Sequence, residues 1–126
     1  MRGDSPPIAR LRARLAGQVG EPLVVSDGSR QYSFDEDTAA YAEIDVQRGN
    51  AFVLVVVIGS LPSEEFVVNL WHRFVREVWL LDPREEAVYI ARPGEPVRVL
   101  DRSGTLRSVE LPGVAISVDA LFALPS

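Results

Sequence analysis

The run from Phe52 to Ile58, FVLVVVI, constrains the fold more than any other stretch. Strict alternation of apolar and polar residues would mark a strand with one wet face. A continuous β-branched run instead marks a strand covered on both faces, at the centre of a sheet. It is far too short to cross a bilayer as a helix. A chain carrying such a strand must supply partners for both its edges.

The segments around it predict those partners. After the run, SLPSEEF starts a helix, with Ser63 as N-cap and Glu64 and Glu65 in the first turn, where the helix dipole favours negative charge. Phe66, Leu70 and Phe74 recur every four residues beside Val67 and Trp71, which predicts a broad apolar helix face. REVWLL and AVYIAR, separated by DPREE, read as strands joined by a turn. VRVL and TLRSVEL around DRSG read as a hairpin, VAIS as a short strand, and VDALFAL as a closing helix with Asp119 as cap. Upstream, Ile8, Leu11, Leu15 and Val19 follow helical spacing, with Arg10, Arg12 and Arg14 on the other side as a solvated basic face. PLVVS and QYSF form a candidate hairpin around SDGSR. AAYAEIDVQ reads as one strand whose Tyr41, Glu43 and Asp45 share a face. The order predicts an α+β (α/β) fold, a mixed β-sheet flanked by helices, with residues 1–7 a disordered leader and residues 8–126 a single domain.

Charge and composition narrow the functions. Eighteen acidic residues against 13 basic ones give a net charge of −5, so the molecule as a whole repels a polyanion, and nucleic-acid binding would need a local arginine patch. All 13 basic residues are arginine, so any mechanism requiring a lysine ammonium is closed. With no cysteine, disulfides and thiolate metal sites are excluded. The N-terminal segment has no long apolar core of a secretory signal, which makes the cytoplasm the expected location, with no membrane role.

VREVWLLDPREEAVYIAR and SGTLRSVELPGVAISVDALF resemble the C-terminal half of a bacterial family of presumed restriction endonucleases, the Uma family. The resemblance implies a PD-(D/E)xK nuclease fold and Mg²⁺-dependent DNA hydrolysis. Upstream, the family's Asp matches Asp45, but its preceding Pro is Ile44 here. The family's Glu falls at Val57 or Ile58, and its Lys near Val67 to Leu70, where this chain has none. The resemblance therefore describes a shortened, degenerate member.

Metal-assisted phosphodiester hydrolysis needs hard oxygen ligands around the ion and a group that positions water. Asp45 is the candidate catalytic residue. Asp45, Glu43, Glu64 and Glu65 are the candidate metal ligands if the site has migrated, with Mg²⁺ as cofactor only in that case. The blander reading puts Asp45 in solvent at a strand end and the two glutamates in service of the helix N-terminus. His72 has no evident triad partner. Trp71 and Trp79 are candidates for packing or for an oligomer interface. The favoured expectation is a non-catalytic nuclease relative with no cofactor, acting as an interaction or scaffold protein through homodimerisation or an unidentified protein partner. The alternatives are an Mg²⁺-dependent endonuclease with a rearranged carboxylate site and a small acidic regulatory module.

Overall fold

The computed structural model describes residues 6–26, 30–33, 39–49, 51–61, 63 and 65–122. In chain order the elements are α1 (Pro6–Gln18), β1 (Leu23–Ser26), β2 (Arg30–Ser33), β3 (Ala39–Ala42), β4 (Ile44–Arg48), β5 (Ala51–Ile58), α2 (Glu65–Trp71), β6 (Val78–Asp82), β7 (Ala87–Ala91), β8 (Arg98–Leu100), β9 (Thr105–Leu106), β10 (Ile116–Ser117) and α3 (Val118–Phe122). The fold is α+β, with a six-stranded mixed sheet in the order β1-β4-β5-β6-β7-β8 and helices on both faces.

The FVLVVVI run behaves as its composition requires. It forms most of β5, which is antiparallel to β4 and parallel to β6, with α2 in the crossover between β5 and β6. From Leu54 onward, successive residues of β5 feed opposite cores. Leu54 and Val56 join Trp79, Leu81, Val88 and Ile90 under α1 and α3. Val55 and Val57 join Val78, Leu80 and Ala91 under Val68, Leu70 and Trp71 of α2. Burying each such side chain contributes roughly 1.5–3 kcal/mol, so a strand without a wet face is stable only in this sandwiched position.

α1 presents Ile8, Leu11 and Leu15 to the first core. Its start corrects the leader boundary, because Pro6 and Pro7 already lie in the helix, where proline is tolerated in the first turn. Residues 1–5 lie outside the described part. At the other end of the helix, Gln18 clamps Ala115 reciprocally: its Nε2 donates to the Ala115 carbonyl (3.0 Å) and its Oε1 accepts from the Ala115 N–H (2.8 Å).

Several expected pairings are different. β1 does not pair with β2. It lies antiparallel to β4, with Leu23 and Val25 packed on the first core, while β2 pairs with β3 in a separate ribbon. The predicted strand AAYAEIDVQ is broken by a bend at Glu43. Ala42 and Ile44 would share a face in an uninterrupted strand, yet they enter opposite cores. The last predicted hairpin also rearranges: β8 pairs with β7, and β9 pairs with β10.

On α2 the buried stripe is Val68, Leu70 and Trp71, continued by Val75, whereas Phe66 and Phe74 are 69% and 47% exposed. Phe74 leaves the stripe because the helix ends at Trp71 and a turn displaces it from the axis, whereas Phe66, inside the helix, lies off the buried face. The helix also begins at Glu65, two positions after Ser63. Among the described residues, no helix is long and apolar enough to cross a membrane.

Candidate functional site

Asp45 is in register with Ser26 of β1 on one side and Val55 of β5 on the other. Residues in register across a ladder share a face, so Asp45 projects toward the α2 core beside Val55 and Val57. It is fully buried. This corrects the reading of Asp45 as a solvent-facing acid at a strand end. Its Oδ1 accepts a hydrogen bond from Nε2 of Gln47 (2.9 Å), two residues along the same strand, just past a register shift between Val46 and Gln47. Gln47 was not singled out from sequence. The Asp-x-Gln spacing was its signal, because residues at i and i+2 of a strand point the same way.

The register also separates the two positions onto which the family Glu would fall. Val57 lies on the α2 face with Asp45, whereas Ile58 packs against the opposite core. The other expected ligands are dispersed. Glu43 occupies the bend between β3 and β4, half-buried, with its N–H donating to the Val56 carbonyl (2.8 Å). Glu65 is exposed at the start of α2, and Glu64 lies outside the described residues.

A divalent ion such as Mg²⁺ takes several oxygens in near-octahedral geometry. Among the described residues no group of three or more His, Asp or Glu converges to hold one. On the face of Asp45 the neighbouring β5 side chains are hydrocarbon. Among the described residues, the donor set around Asp45 does not fit an Mg²⁺ cage. A cleft of about 340 Å³ opens at the C-terminal ends of the parallel strands β5 and β6, lined by Ser60, Leu61, Asp82, Arg84, Glu85 and Tyr89. Asp82 in that cleft is committed to the β6–β7 turn, where its Oδ1 accepts from the N–H groups of Arg84 (3.0 Å) and Glu85 (3.2 Å).

Trp71 and Trp79, the candidates for packing or for an oligomer interface, are both fully buried within the chain, as packing requires. Trp71 packs edge-on against Phe52 with ring centroids 5.5 Å apart. Trp79 donates from Nε1 to Oε2 of Glu77 (2.8 Å), so its polar atom is satisfied inside the fold. His72 is half-buried, with Nε2 3.2 Å from the Ala91 carbonyl oxygen, and ties the end of α2 to β7. The basic face of α1 is only partly solvated. Arg10 donates to the Leu121 carbonyl of α3 (2.9 Å), Arg12 is half-buried, and Arg14 is exposed.

The strongest electrostatic feature was not anticipated. Glu77 is 2% exposed, and its Oε1 accepts from Arg92 Nη1 at 2.7 Å. Arg92 also donates from Nη2 to Glu110 (3.0 Å) and from Nε to Glu95 (3.2 Å). The hydrogen bond to Glu77, with further ones to Glu110 and Glu95, holds the Arg92 guanidinium well above its ordinary pKa despite the opposing effect of burial. The cluster joins β6, the end of β7 and the segment before Leu111.

No protein-family model matches the sequence, and no curated protein does. Among solved structures, the chain is similar to a crystal structure from Anabaena variabilis ATCC 29413, a "putative nuclease belonging to DUF820". The two are 16% identical over 98% of this chain and 83% of that one, with a TM-score of 0.79. The chain therefore has a nuclease-like fold, in agreement with the resemblance to the Uma family.

Proposed function

We propose that this protein is a non-catalytic representative of the nuclease-like fold, acting by binding rather than by metal-dependent phosphodiester hydrolysis. One observation carries the reading. The acid at the expected position, Asp45, is sealed from solvent and hydrogen-bonded to Gln47, and its face on β5 is filled by Val55 and Val57. Hydrocarbon at those positions donates nothing to a cation, and packing gives Val55 and Val57 a sufficient role.

An interaction role needs a surface, and the tryptophans do not provide it. The exposed aromatic residues Phe66 and Phe74, with the Arg73 guanidinium 5.8 Å from the Phe74 ring centroid, are the better candidates for contact with a second copy or a protein partner. A second reading, an Mg²⁺-dependent nuclease with a rearranged site, draws on the description of the solved neighbour as a "putative nuclease".

Plasmid nicking with Mg²⁺ or Mn²⁺ separates the two. Wild type and Asp45→Asn should both leave supercoiled DNA intact at protein excess. Nicking by the wild type that Asp45→Asn abolishes would overturn the proposal. Sedimentation of wild type and Phe66→Ser/Phe74→Ser tests whether these aromatics support self-association.

A further inference from the structure

On the face of the sheet opposite Asp45, the Arg92 cluster forms the floor of a cleft of about 490 Å³. Glu77, Arg92, Glu95, Arg98, Arg107, Ser108 and Val109 line it. A smaller cleft of about 210 Å³, lined by Arg76, Arg92, Pro93 and Glu95, adjoins it through Arg92 and Glu95. The face follows from register: Arg98 is opposite Ile90, and Ile90 belongs to the core under α1 and α3.

The charges here are not used equally. Glu77, Glu95 and Glu110 all point their carboxylates at Arg92, and Glu77 and Glu110 are largely withdrawn from solvent. Arg76, Arg98 and Arg107 are exposed and have no ion pair or hydrogen-bonding partner among the described residues. In a chain with more acids than bases, this leaves two unpaired guanidinium groups, Arg98 and Arg107, on the larger cleft and Arg76 on the smaller one, above a floor where three carboxylates share Arg92. Guanidinium presents a planar fork of donors that matches phosphate oxygens in pairs. Arg98 opens β8 opposite Ile90 of β7, and Arg107 directly follows β9, so two separate segments supply the wall.

We propose that this cleft binds a compact phosphate-bearing anion between the guanidinium groups of Arg98 and Arg107. The same chemistry serves free phosphate and a phosphate ester of a small molecule, and the volume admits either. The proposal is independent of whether Asp45 supports hydrolysis, because the two sites lie on opposite faces of the sheet.

Titration calorimetry at low ionic strength, with inorganic phosphate and separately with adenosine 5′-monophosphate, tests it on the full chain. Saturable binding of at least one is expected, and Arg98→Gln/Arg107→Gln should weaken it by about tenfold or more. Arg14→Gln, on α1, should bind as wild type. Both altered side chains are exposed, and an unchanged circular dichroism spectrum verifies folding of the double variant. Tighter binding of phosphate than of the nucleotide assigns the site to the free anion, and the reverse assigns it to an ester. Binding of neither, equal loss in Arg14→Gln, or binding seen only with long duplex DNA would overturn the proposal.

Discussion

Asp45 and Glu77 are buried acids that solve the same problem differently. Asp45 takes a hydrogen bond from Gln47, and Glu77 takes one from Trp79 and a charge-assisted one from Arg92. Leaving a buried ion without its partner is far more damaging than replacing a whole pair. Arg92→Met should therefore lower stability by about 3 kcal/mol or more in urea denaturation, because it strands Glu77. Asp45→Asn keeps an acceptor for Gln47 and should stay within about 1–2 kcal/mol of wild type. Val57→Glu places a second carboxylate on the face of Asp45 and should destabilise by about 3 kcal/mol or more. Its melting temperature should rise on addition of Mn²⁺, whereas that of the wild type should not, which calorimetric scans will read directly. At the surface, the Ser103 hydroxyl, assisted by the Ser103 N–H, holds Asp101 below its ordinary carboxylate pKa. A depressed folded value stabilises at pH above the unfolded value and loses that contribution as pH falls through the folded one. Ser103→Ala should move the Asp101 carboxyl titration, followed by carbon NMR, upward toward the ordinary value.

At the level of elements, regular periodicity was readable and interruptions were not. The α1 stripe, the two-faced burial of β5 and the β6–β7 hairpin all follow from the local pattern. The bend at Glu43 does not, since alternation continues through it in sequence while the chain changes core in space. Nor does the early stop of α2, which left Phe74 outside the helix. Paired substitutions test that helix. Leu70→Ala should cost about 2–4 kcal/mol, and Phe66→Ser should stay within about 0.5 kcal/mol, both measured by chemical denaturation. The site was half legible for a related reason. Asp45 was singled out by the resemblance to the Uma family, and Asp-x-Gln and Glu-x-Trp are i, i+2 spacings that bring both side chains to one face. Its burial, and the junction of Glu77 with Arg92 and Glu110, depend on contacts between distant segments that no local window contains.

For the whole molecule, β5 and β6 form the single parallel pair among the described strands, and this pairing favours an order of assembly. β4 and β5 are neighbours in sequence and can pair early, but the other edge of β5 meets β6 only after α2 has crossed over. Until Val78–Asp82 is synthesised, the most apolar strand of the chain carries unpaired N–H and C=O groups along one side. Long-range parallel pairing is slow to form, and an unprotected edge of this kind recruits other chains. A fragment ending before residue 78 therefore keeps that edge open and should clump with its neighbours once released into solution, which light scattering reads.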